Sequence, residues 1–260
     1  MKFGGASLAS PVQFDIIADL ILKRAQIYPN IVIVVSAMGQ TTNDLIALAQ
    51  AVNATPPQRE YDMLLSVGER ISMALLAMAI AKKNFNAISF TGSQSGIVTT
   101  SDHTEAKIVE VRPTRILKSL ESNKLVIVAG FQGVSIHGEI TTLGRGGSDT
   151  TAVALGIALD AEKVEFYKDV PGIFSSDPKC DTNAQLLPTM SYDEAIAIAS
   201  TGAKILHQRS LFLAKANQIP LHVLSFKEES CLGTVIQDTT TTKQIHKIYE
   251  IGGAPHAVQP

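Results

Sequence analysis

The sequence predicts an α/β protein with a mainly parallel sheet covered by helices. Short, mostly apolar runs rich in β-branched residues alternate with longer segments of helical periodicity. Uniformly apolar strands are typical of a sheet that is buried on both faces. With 260 residues, of which 45% are hydrophobic, the chain can bury one large core or two small ones. The predicted strands are residues 31–35, 87–90, 125–129, 164–167 and 221–224.

Capping residues mark two helix starts. Ser10 precedes Pro11, and proline is favoured at the first position of a helix. Ser191 and Glu194 have the spacing of a capping box, in which each residue satisfies a free N–H group of the other. We expect residues 201–202 to interrupt this second helix before a further helical segment begins.

Composition narrows the class of protein. The 22 basic and 24 acidic side chains give a net charge of -2, so no general surface for nucleic acid or membrane is indicated. The two cysteines, Cys180 and Cys231, have no metal-ligand spacing and suggest a reducing, cytoplasmic environment. No targeting signal is recognised, and the longest nearly apolar stretch, residues 71–81, is shorter than the roughly 20 residues of a membrane span.

The run TTLGRGGSDTT, residues 141–151, directly precedes an apolar stretch over residues 152–159. Its glycines allow the backbone to approach an anion closely, and Arg145 supplies a guanidinium group. Ser148, Asp149 or Thr150 is expected to cap a helix whose free N–H groups face that anion. A glycine-rich turn before a helix is also typical of a plain structural connection, so the run alone fits either interpretation.

Other predicted loops suit the same kind of ligand. In open α/β sheets, ligands bind beyond the carboxyl ends of the strands. Glycine and hydroxyl residues are frequent in the loops expected there, and Lys2, Arg145, Lys168 and Lys204 add positive charge that a polyphosphate needs. These loops cover residues 2–7, 36–44, 91–96, 130–133 and 168–179.

Seven motifs, taken in order and spacing, resemble those of the aspartate kinases. They are residues 2–7, 35–45, 66–70, 130–133, 141–151, 169–179 and 202–207. The resemblance extends from residue 2 to about Thr234. It implies the amino-acid kinase fold, a three-layer α/β/α sandwich. It also implies ATP-dependent phosphorylation of the side-chain carboxylate of L-aspartate to 4-phospho-L-aspartate, the first step toward lysine and diaminopimelate, threonine and methionine.

The resemblance implies a role for individual residues. Expected catalytic residues are Lys2, Asp149 and Lys204, with Asp149 orienting lysines beside the phosphates. Magnesium is expected to arrive with ATP rather than on protein side chains. Expected substrate-binding residues are Ser36, Thr42, Glu69, Arg145 and Ser148. Expected nucleotide-binding residues are Lys2, Phe3, Gly4, Gly5, Gly147, Lys168, Asp169, Phe174, Lys179 and Lys204.

The chemistry is consistent with these roles. An aspartate side chain is already ionised at neutral pH, so the attacking group needs no general base. Positioning and neutralisation of the phosphoryl charge remain to be supplied. By resemblance, Arg145 binds the α-carboxylate and Glu69 the α-ammonium group. Asp169 also fits the start of a simple turn, and His207 is interpreted as a packing residue.

Four positions depart from the family pattern. Ala6 replaces Thr or Ser, Lys168 replaces Thr, Phe174 replaces Tyr, and Lys179 replaces Arg. The first change removes a hydroxyl group near the phosphates, and the third removes a hydrogen bond near the base or ribose. We therefore expect activity with an altered affinity for ATP.

The largest departure from the family pattern is the length of the chain. Aspartate kinases commonly continue into paired ACT domains that bind lysine or threonine. We expect a catalytic domain over residues 1–234, followed by a tail over 235–260 with no ACT domain. The corresponding hypothesis is an enzyme without feedback inhibition, unless the chain is a fragment or meets a regulatory subunit in trans. A homodimer through the catalytic domain is compatible with this arrangement.

Two alternatives remain open from the sequence. Another amino-acid kinase, acting on glutamate, an acylated amino acid or a nucleoside monophosphate, would share the nucleotide loops. It should lack the pair formed by Glu69 and Arg145. A non-catalytic nucleotide-binding regulator should have lost a phosphate lysine or Asp149.

Overall fold

The computed structural model describes residues 1–176, 181, 183–203, 205–238 and 246–251. In chain order its strands are β1 (Lys2–Phe3), β2 (Val32–Val35), β3 (Ala87–Phe90), β4 (Ile97–Thr99), β5 (Ile108–Val111), β6 (Leu125–Ala129), β7 (Gln132–Ser135), β8 (Ile140–Thr142), β9 (Val164–Lys168), β10 (Thr189–Met190), β11 (Leu221–Ser225) and β12 (Thr234–Ile236). The helices are α1 (Pro11–Ala25), α2 (Thr41–Val52), α3 (Gln58–Leu65), α4 (Val67–Lys82), α5 (Thr114–Glu121), α6 (Gly147–Ala158), α7 (Tyr192–Ser200) and α8 (Gln208–Asn217), with a 3-10 turn at Gly5–Leu8.

Among the described residues, the central sheet has eight strands in the order β10-β12-β11-β9-β1-β2-β6-β3. Neighbouring strands are parallel except β11 and β12, which are antiparallel. All five predicted strands are present in this sheet, with ends that differ by one residue at most. The prediction of a mainly parallel sheet is therefore confirmed.

Side chains alternate between the two faces of the sheet, as a pleated strand requires. Ile33 and Val35 pack in one buried apolar cluster with α1 and α4. Val34, between them, packs in the other cluster with Val153 of α6 and Leu211 of α8. Helices thus cover both faces, and the expected three-layer α/β/α architecture is confirmed.

A second sheet, with the order β5-β4-β7-β8, was not predicted. Its strands have three or four residues, and β7 and β8 lie in segments that the sequence suggested were loops. Asp62 of α3 is fully buried and accepts a hydrogen bond from the Thr142 hydroxyl at 2.5 Å. The small sheet matters for the site because β8 leads directly into the glycine-rich turn.

The helix starts partly agree with the sequence predictions. Ser191 forms the predicted capping box with Glu194. Ser10 occupies the N-cap of α1, but its side chain makes no capping hydrogen bond. The expected caps of α6 are wrong, because Gly146 is the N-cap residue and residues 148–150 lie inside the helix. The α7 and α8 helices are separate, as the interruption at residues 201–202 predicted.

The sheet continues beyond the expected domain end. Thr234 is the first residue of β12, which pairs with β11 through Ile236. Further along the chain, Tyr249 packs against the cluster that contains Val153. The core of the domain thus includes contacts from residues assigned to the tail.

One stretch, Gln58–Lys82, is long and apolar enough to cross a membrane by length and composition alone, with a mean hydropathy of 1.6. In the structure it forms α3 and α4, separated by Ser66. Leu76 and Ile80 of α4 are fully buried against the sheet. We interpret the stretch as a pair of core helices.

Candidate active site

The candidate site lies at the carboxyl edge of the central strands. Because β1, β2, β6 and β9 are parallel, the loops that follow them meet at this edge. The Ser36 amide donates to the Phe3 carbonyl at 3.1 Å, and the Gly130 amide donates to the Val35 carbonyl at 3.0 Å. These bonds continue the sheet into the loops and fix Ser36 beside the residues that follow β1.

Lys2 and Asp149 form a buried ion pair in this region. The Lys2 ammonium nitrogen lies 2.6 Å from Asp149 Oδ1, and the two side chains are 7% and 10% exposed. Lys2 is the first residue of β1, and Asp149 lies in the first turn of α6. A helix N-terminus favours negative charge, so the fold and the lysine both stabilise the carboxylate.

Lys168 adds a second positive charge near this pair. Burial alone would raise the pKa of Asp149, but the charges of Lys2 and Lys168 outweigh it and hold that pKa below its ordinary value. Burial lowers the pKa of Lys168; Asp149 opposes that shift, and Lys2 adds to it. The arrangement concentrates positive charge that a polyphosphate would neutralise.

Glu69 is a nearly buried carboxylate in the first turn of α4, 4% exposed. Its Oε1 accepts a hydrogen bond from the Ala37 amide at 3.1 Å, while Oε2 has no partner among the described residues. Burial raises the pKa of Glu69 to about 7, against weaker opposing effects of the hydrogen bonds and of Lys2. A buried carboxylate oxygen without a partner is suited to bind a cationic group.

The glycine-rich turn displays Arg145 at the surface. Gly144 and Gly146 adopt left-handed conformations, with φ values of +69° and +73°, on either side of Arg145. Arg145 is exposed, and no ion pair is observed for it within the described ranges. The turn therefore leaves its guanidinium group available to a ligand.

Ser148 and Gly147 begin α6 next to the β6–β7 connection. A Cβ atom on Gly130 would lie 2.9 Å from Ser148 Oγ, so the serine packs closely against that backbone. A Cβ atom on Gly147 would lie 2.9 Å from Phe131 Cδ2. Both residues are buried, and Thr42 lies half-buried in the first turn of α2.

The glycines after β1 differ in what surrounds them. A Cβ atom on Gly5 would lie 2.8 Å from the Ala37 carbonyl oxygen, so a side chain there would displace the loop after β2. A Cβ atom on Gly4 would lie 3.7 Å from the Lys2 ammonium nitrogen, which is an ordinary contact. Gly4 thus lies beside the Lys2 ammonium group, while Gly5 packs against the loop after β2.

Some residues expected to bind the nucleotide lie elsewhere or are not described. Phe3 is fully buried and stacks on Tyr167 with ring centroids 4.8 Å apart, so its side chain belongs to the core and not to the site. Asp169 is exposed directly after β9. Phe174 is half-buried and forms an isolated antiparallel β-bridge with Leu186. Lys179 and Lys204 lie outside the described residues.

Two contributions to the site were missed from the sequence. The Ala37 amide orients Glu69, and the backbone of His207 contributes to lowering the pKa of Asp149. The motif containing His207 was recognised, but its backbone contact was not expected. Both partners are backbone groups, and residue type gives no signal for such contacts.

A cavity of about 400 Å³ lies at the opposite, amino edge of the sheet. It is lined by Val32, Leu155 and Glu165 among others, and by none of the expected site residues. Burial would raise the pKa of Glu165, but its ion pair with Arg24 lowers it. Within the part of the chain that is described, no cluster of His, Cys, Asp or Glu is arranged to hold a metal ion.

The fold is a doubly wound α/β domain with a cluster of charged residues, the candidate site, at the carboxyl edge of its parallel strands. Residues 1–225 match the model of the amino acid kinase family. The chain belongs to that family.

Three similar proteins are informative. The chain is 46% identical over 243 residues to an aspartokinase from Bacillus sp. (strain MGA3), covering 94% of this chain and 59% of that one. The aspartate kinase from Synechocystis has a TM-score of 0.83 at 41% identity, with 94% of this chain and 40% of that chain covered. The aspartokinase III of E. coli, in complex with aspartate and ADP, has a TM-score of 0.83 at 28% identity, with 93% and 64% covered. The chain thus spans about three fifths of the length of the Bacillus relative.

Proposed function

We propose that this chain carries an aspartate kinase catalytic domain, which transfers the γ-phosphoryl group of ATP to the side-chain carboxylate of L-aspartate. The observation that carries the proposal is Glu69, a buried carboxylate with a free oxygen at the same edge as the Lys2–Asp149 pair. An acceptor-only group there selects a substrate with a free ammonium group. An acylated amino acid or a nucleotide acceptor would leave that carboxylate buried without a partner.

Phosphoryl transfer to a carboxylate depends more on positive charge in the site than on a group that transfers a proton. The attacking aspartate oxygen is already ionised, and negative charge spreads over the transferred group in the transition state. Lys2 and Lys168 are proposed to neutralise that charge, and the ion pair with Asp149 would hold Lys2 in position. Lys204 is proposed as a further phosphate ligand. Magnesium bound with ATP would add charge neutralisation at the phosphates.

The amino acid is proposed to bind between Glu69 and the Arg145 turn. A guanidinium group binds a carboxylate through two parallel hydrogen bonds, which suits Arg145 to the α-carboxylate. Ser36, Thr42 and Ser148 would supply hydroxyl contacts. Arg145 is exposed here, so it would approach the substrate from the solvent side.

The nucleotide is proposed to lie over the backbones of Gly4, Gly5 and Gly147, with Asp169, Phe174 and Lys179 along its base and ribose. Phe3 would contribute through its backbone alone, because its ring is in the core. Support comes from the aspartokinase III of E. coli, whose solved complex holds aspartate and ADP.

The test is an assay of the purified chain with ATP, Mg²⁺ and hydroxylamine, which traps an acyl phosphate as its hydroxamate. L-Aspartate, N-acetyl-L-aspartate and L-glutamate should be compared at equal concentrations. Hydroxamate formation with L-aspartate alone supports the proposal. Preferential reaction of L-glutamate or of the acylated compound would support one of the other amino-acid kinases.

A further inference from the structure

The turn that carries Arg145 is held by residues outside the proposed site. Arg209, in the first turn of α8, donates from Nη1 to the Leu143 carbonyl, directly before the turn. Its Nη2 donates to the Ala106 carbonyl at 3.0 Å. At the same helix end, a Cβ atom on Gly146 would overlap the ring of His207, so this ring packs tightly against the turn.

Glu250 fixes the position of Arg209. Its Oε1 accepts from Arg209 Nε at 2.6 Å, and its Oε2 accepts from Arg209 Nη2 at 2.9 Å. The same Oε2 accepts from the Ile108 amide at 2.8 Å, and the Glu250 amide donates to the Ile108 carbonyl at 3.1 Å. The two charged side chains are 24% and 11% exposed, so water screens the pair only in part.

The segment 246–251 that supplies Glu250 is itself anchored. Asn217 accepts from the Ile248 amide and donates to the Ile248 carbonyl, each at 2.8 Å. Tyr249 packs against the core, and Lys247 donates to the Ala158 carbonyl at 2.8 Å. Contacts with the rest of the domain therefore fix the position of Glu250, and its two hydrogen bonds fix the position of Arg209.

We propose that Arg209 and Glu250 are positioning residues for the Arg145 turn and thereby set the affinity for the amino-acid substrate. This inference rests on the proposed function of Arg145. The turn contains glycines on both sides of Arg145, so its own side chains do little to hold it. The anchor at the Leu143 carbonyl limits the positions that the Arg145 guanidinium group samples. Lys2 itself lies on β1, outside this turn.

The experiment compares Glu250→Gln and Arg209→Lys with the unchanged chain. Glu250→Gln keeps the shape of the side chain and removes its charge, and Arg209→Lys removes the forked donor. The control is Asp193→Asn. Asp193 lies on α7 and forms an exposed ion pair with Lys215, which lies on α8 as Arg209 does. We measure KM for L-aspartate, KM for ATP and kcat, together with amide hydrogen exchange over residues 143–149.

Each of the two variants should raise KM for L-aspartate about tenfold, because small misplacements of a binding group carry large kinetic effects. KM for ATP and kcat should change by no more than about twofold, amide exchange over residues 143–149 should become faster, and Asp193→Asn should change none of these. Unchanged exchange in both variants, or KM values for both substrates that rise together, would overturn the proposal.

If the unchanged chain forms no aspartyl hydroxamate, the proposed function fails, and with it the role in substrate affinity. The exchange measurement then decides by itself whether Glu250 and Arg209 hold the turn. Faster exchange in Glu250→Gln and Arg209→Lys, but not in Asp193→Asn, would support that structural part.

Discussion

The Lys2 ammonium group and the Asp149 carboxylate are paired at 2.6 Å within the carboxyl edge of the sheet, and both side chains are almost fully buried. Burying two charges costs solvation energy that their mutual attraction offsets only in part. Buried ionisable pairs in a cleft are therefore candidates for function.

Replacing either partner of this pair should mainly lower kcat. For Lys2→Met and Asp149→Asn we expect a loss of about 100-fold or more, because each change removes or misplaces charge that stabilises the transferring phosphoryl group. The double variant should lose much less than the product of the two single losses, since the residues act as a unit. Steady-state kinetics would measure this cycle. Glu229→Gln, which breaks the exposed pair with Lys23, should leave kcat unchanged.

Glu69 should give the enzyme a pH dependence near neutrality. The carboxylate binds the substrate ammonium group only when ionised, and burial raises the pKa of Glu69 to about 7. The value of kcat/KM for L-aspartate should therefore rise with pH through about 7 in the unchanged chain. Glu69→Gln should have a higher KM for L-aspartate and no such rise. A pH profile identical in the two proteins would contradict the assignment.

The same shift predicts an effect on stability. The folded carboxyl group binds its proton more tightly than the unfolded one, whose pKa is 4.5, so the unfolded chain carries fewer protons between pH 4.5 and about 7. The contribution of Glu69 to the free energy of unfolding should therefore decrease as pH rises through this window. Urea unfolding at several pH values, with Glu69→Gln as the comparison, would measure it.

Arg145 should affect the KM for L-aspartate and leave the KM for ATP unchanged. Arg145→Lys keeps the charge but loses the paired hydrogen bonds to a carboxylate, so KM for L-aspartate should rise about tenfold or more. KM for ATP should stay close to that of the unchanged chain. The matched control is Arg112→Lys, which alters an exposed arginine paired with Glu110. An increase in KM for ATP alone would place Arg145 at the nucleotide instead.

Asp62 should contribute to stability through the small sheet. Its carboxylate accepts from the Thr142 hydroxyl, the Thr104 amide and His103 Nδ1, the last at 2.7 Å. Asp62→Ala leaves these groups unsatisfied in the interior, which should lower the free energy of unfolding by about 3 kcal/mol. Urea denaturation would measure the loss, and Asp102→Ala, at an exposed position in the neighbouring loop, should change it little.

Five strands of the central sheet were predictable, because they are short runs of mostly apolar residues. Runs such as residues 125–129 show this pattern without interruption, and the structure places them in the sheet interior. The strands β7 and β8 were not predictable, because they are short and contain Gly, Ser and Thr. Their strand conformation depends on pairing within the small sheet rather than on local sequence preference.

The proximity of Lys2, Glu69 and Asp149 could be predicted, because the recognised motifs contain these residues. The structure brings these residues to one edge, while the roles proposed for them stay predictions. Phe3 was assigned to the nucleotide site from its place in a motif, and the structure shows that its ring stacks on Tyr167 in the core. The contact between Arg209 and Glu250 had no local signal, because the two residues are 41 positions apart.

The most direct measurement is the formation of aspartyl hydroxamate by the purified chain with ATP, Mg²⁺ and hydroxylamine. We predict hydroxamate with L-aspartate, a large loss in Lys2→Met, and little or no product from N-acetyl-L-aspartate or L-glutamate. A folded chain that consumes ATP without forming the aspartyl hydroxamate, or that reacts as well with N-acetyl-L-aspartate, would contradict the proposed function.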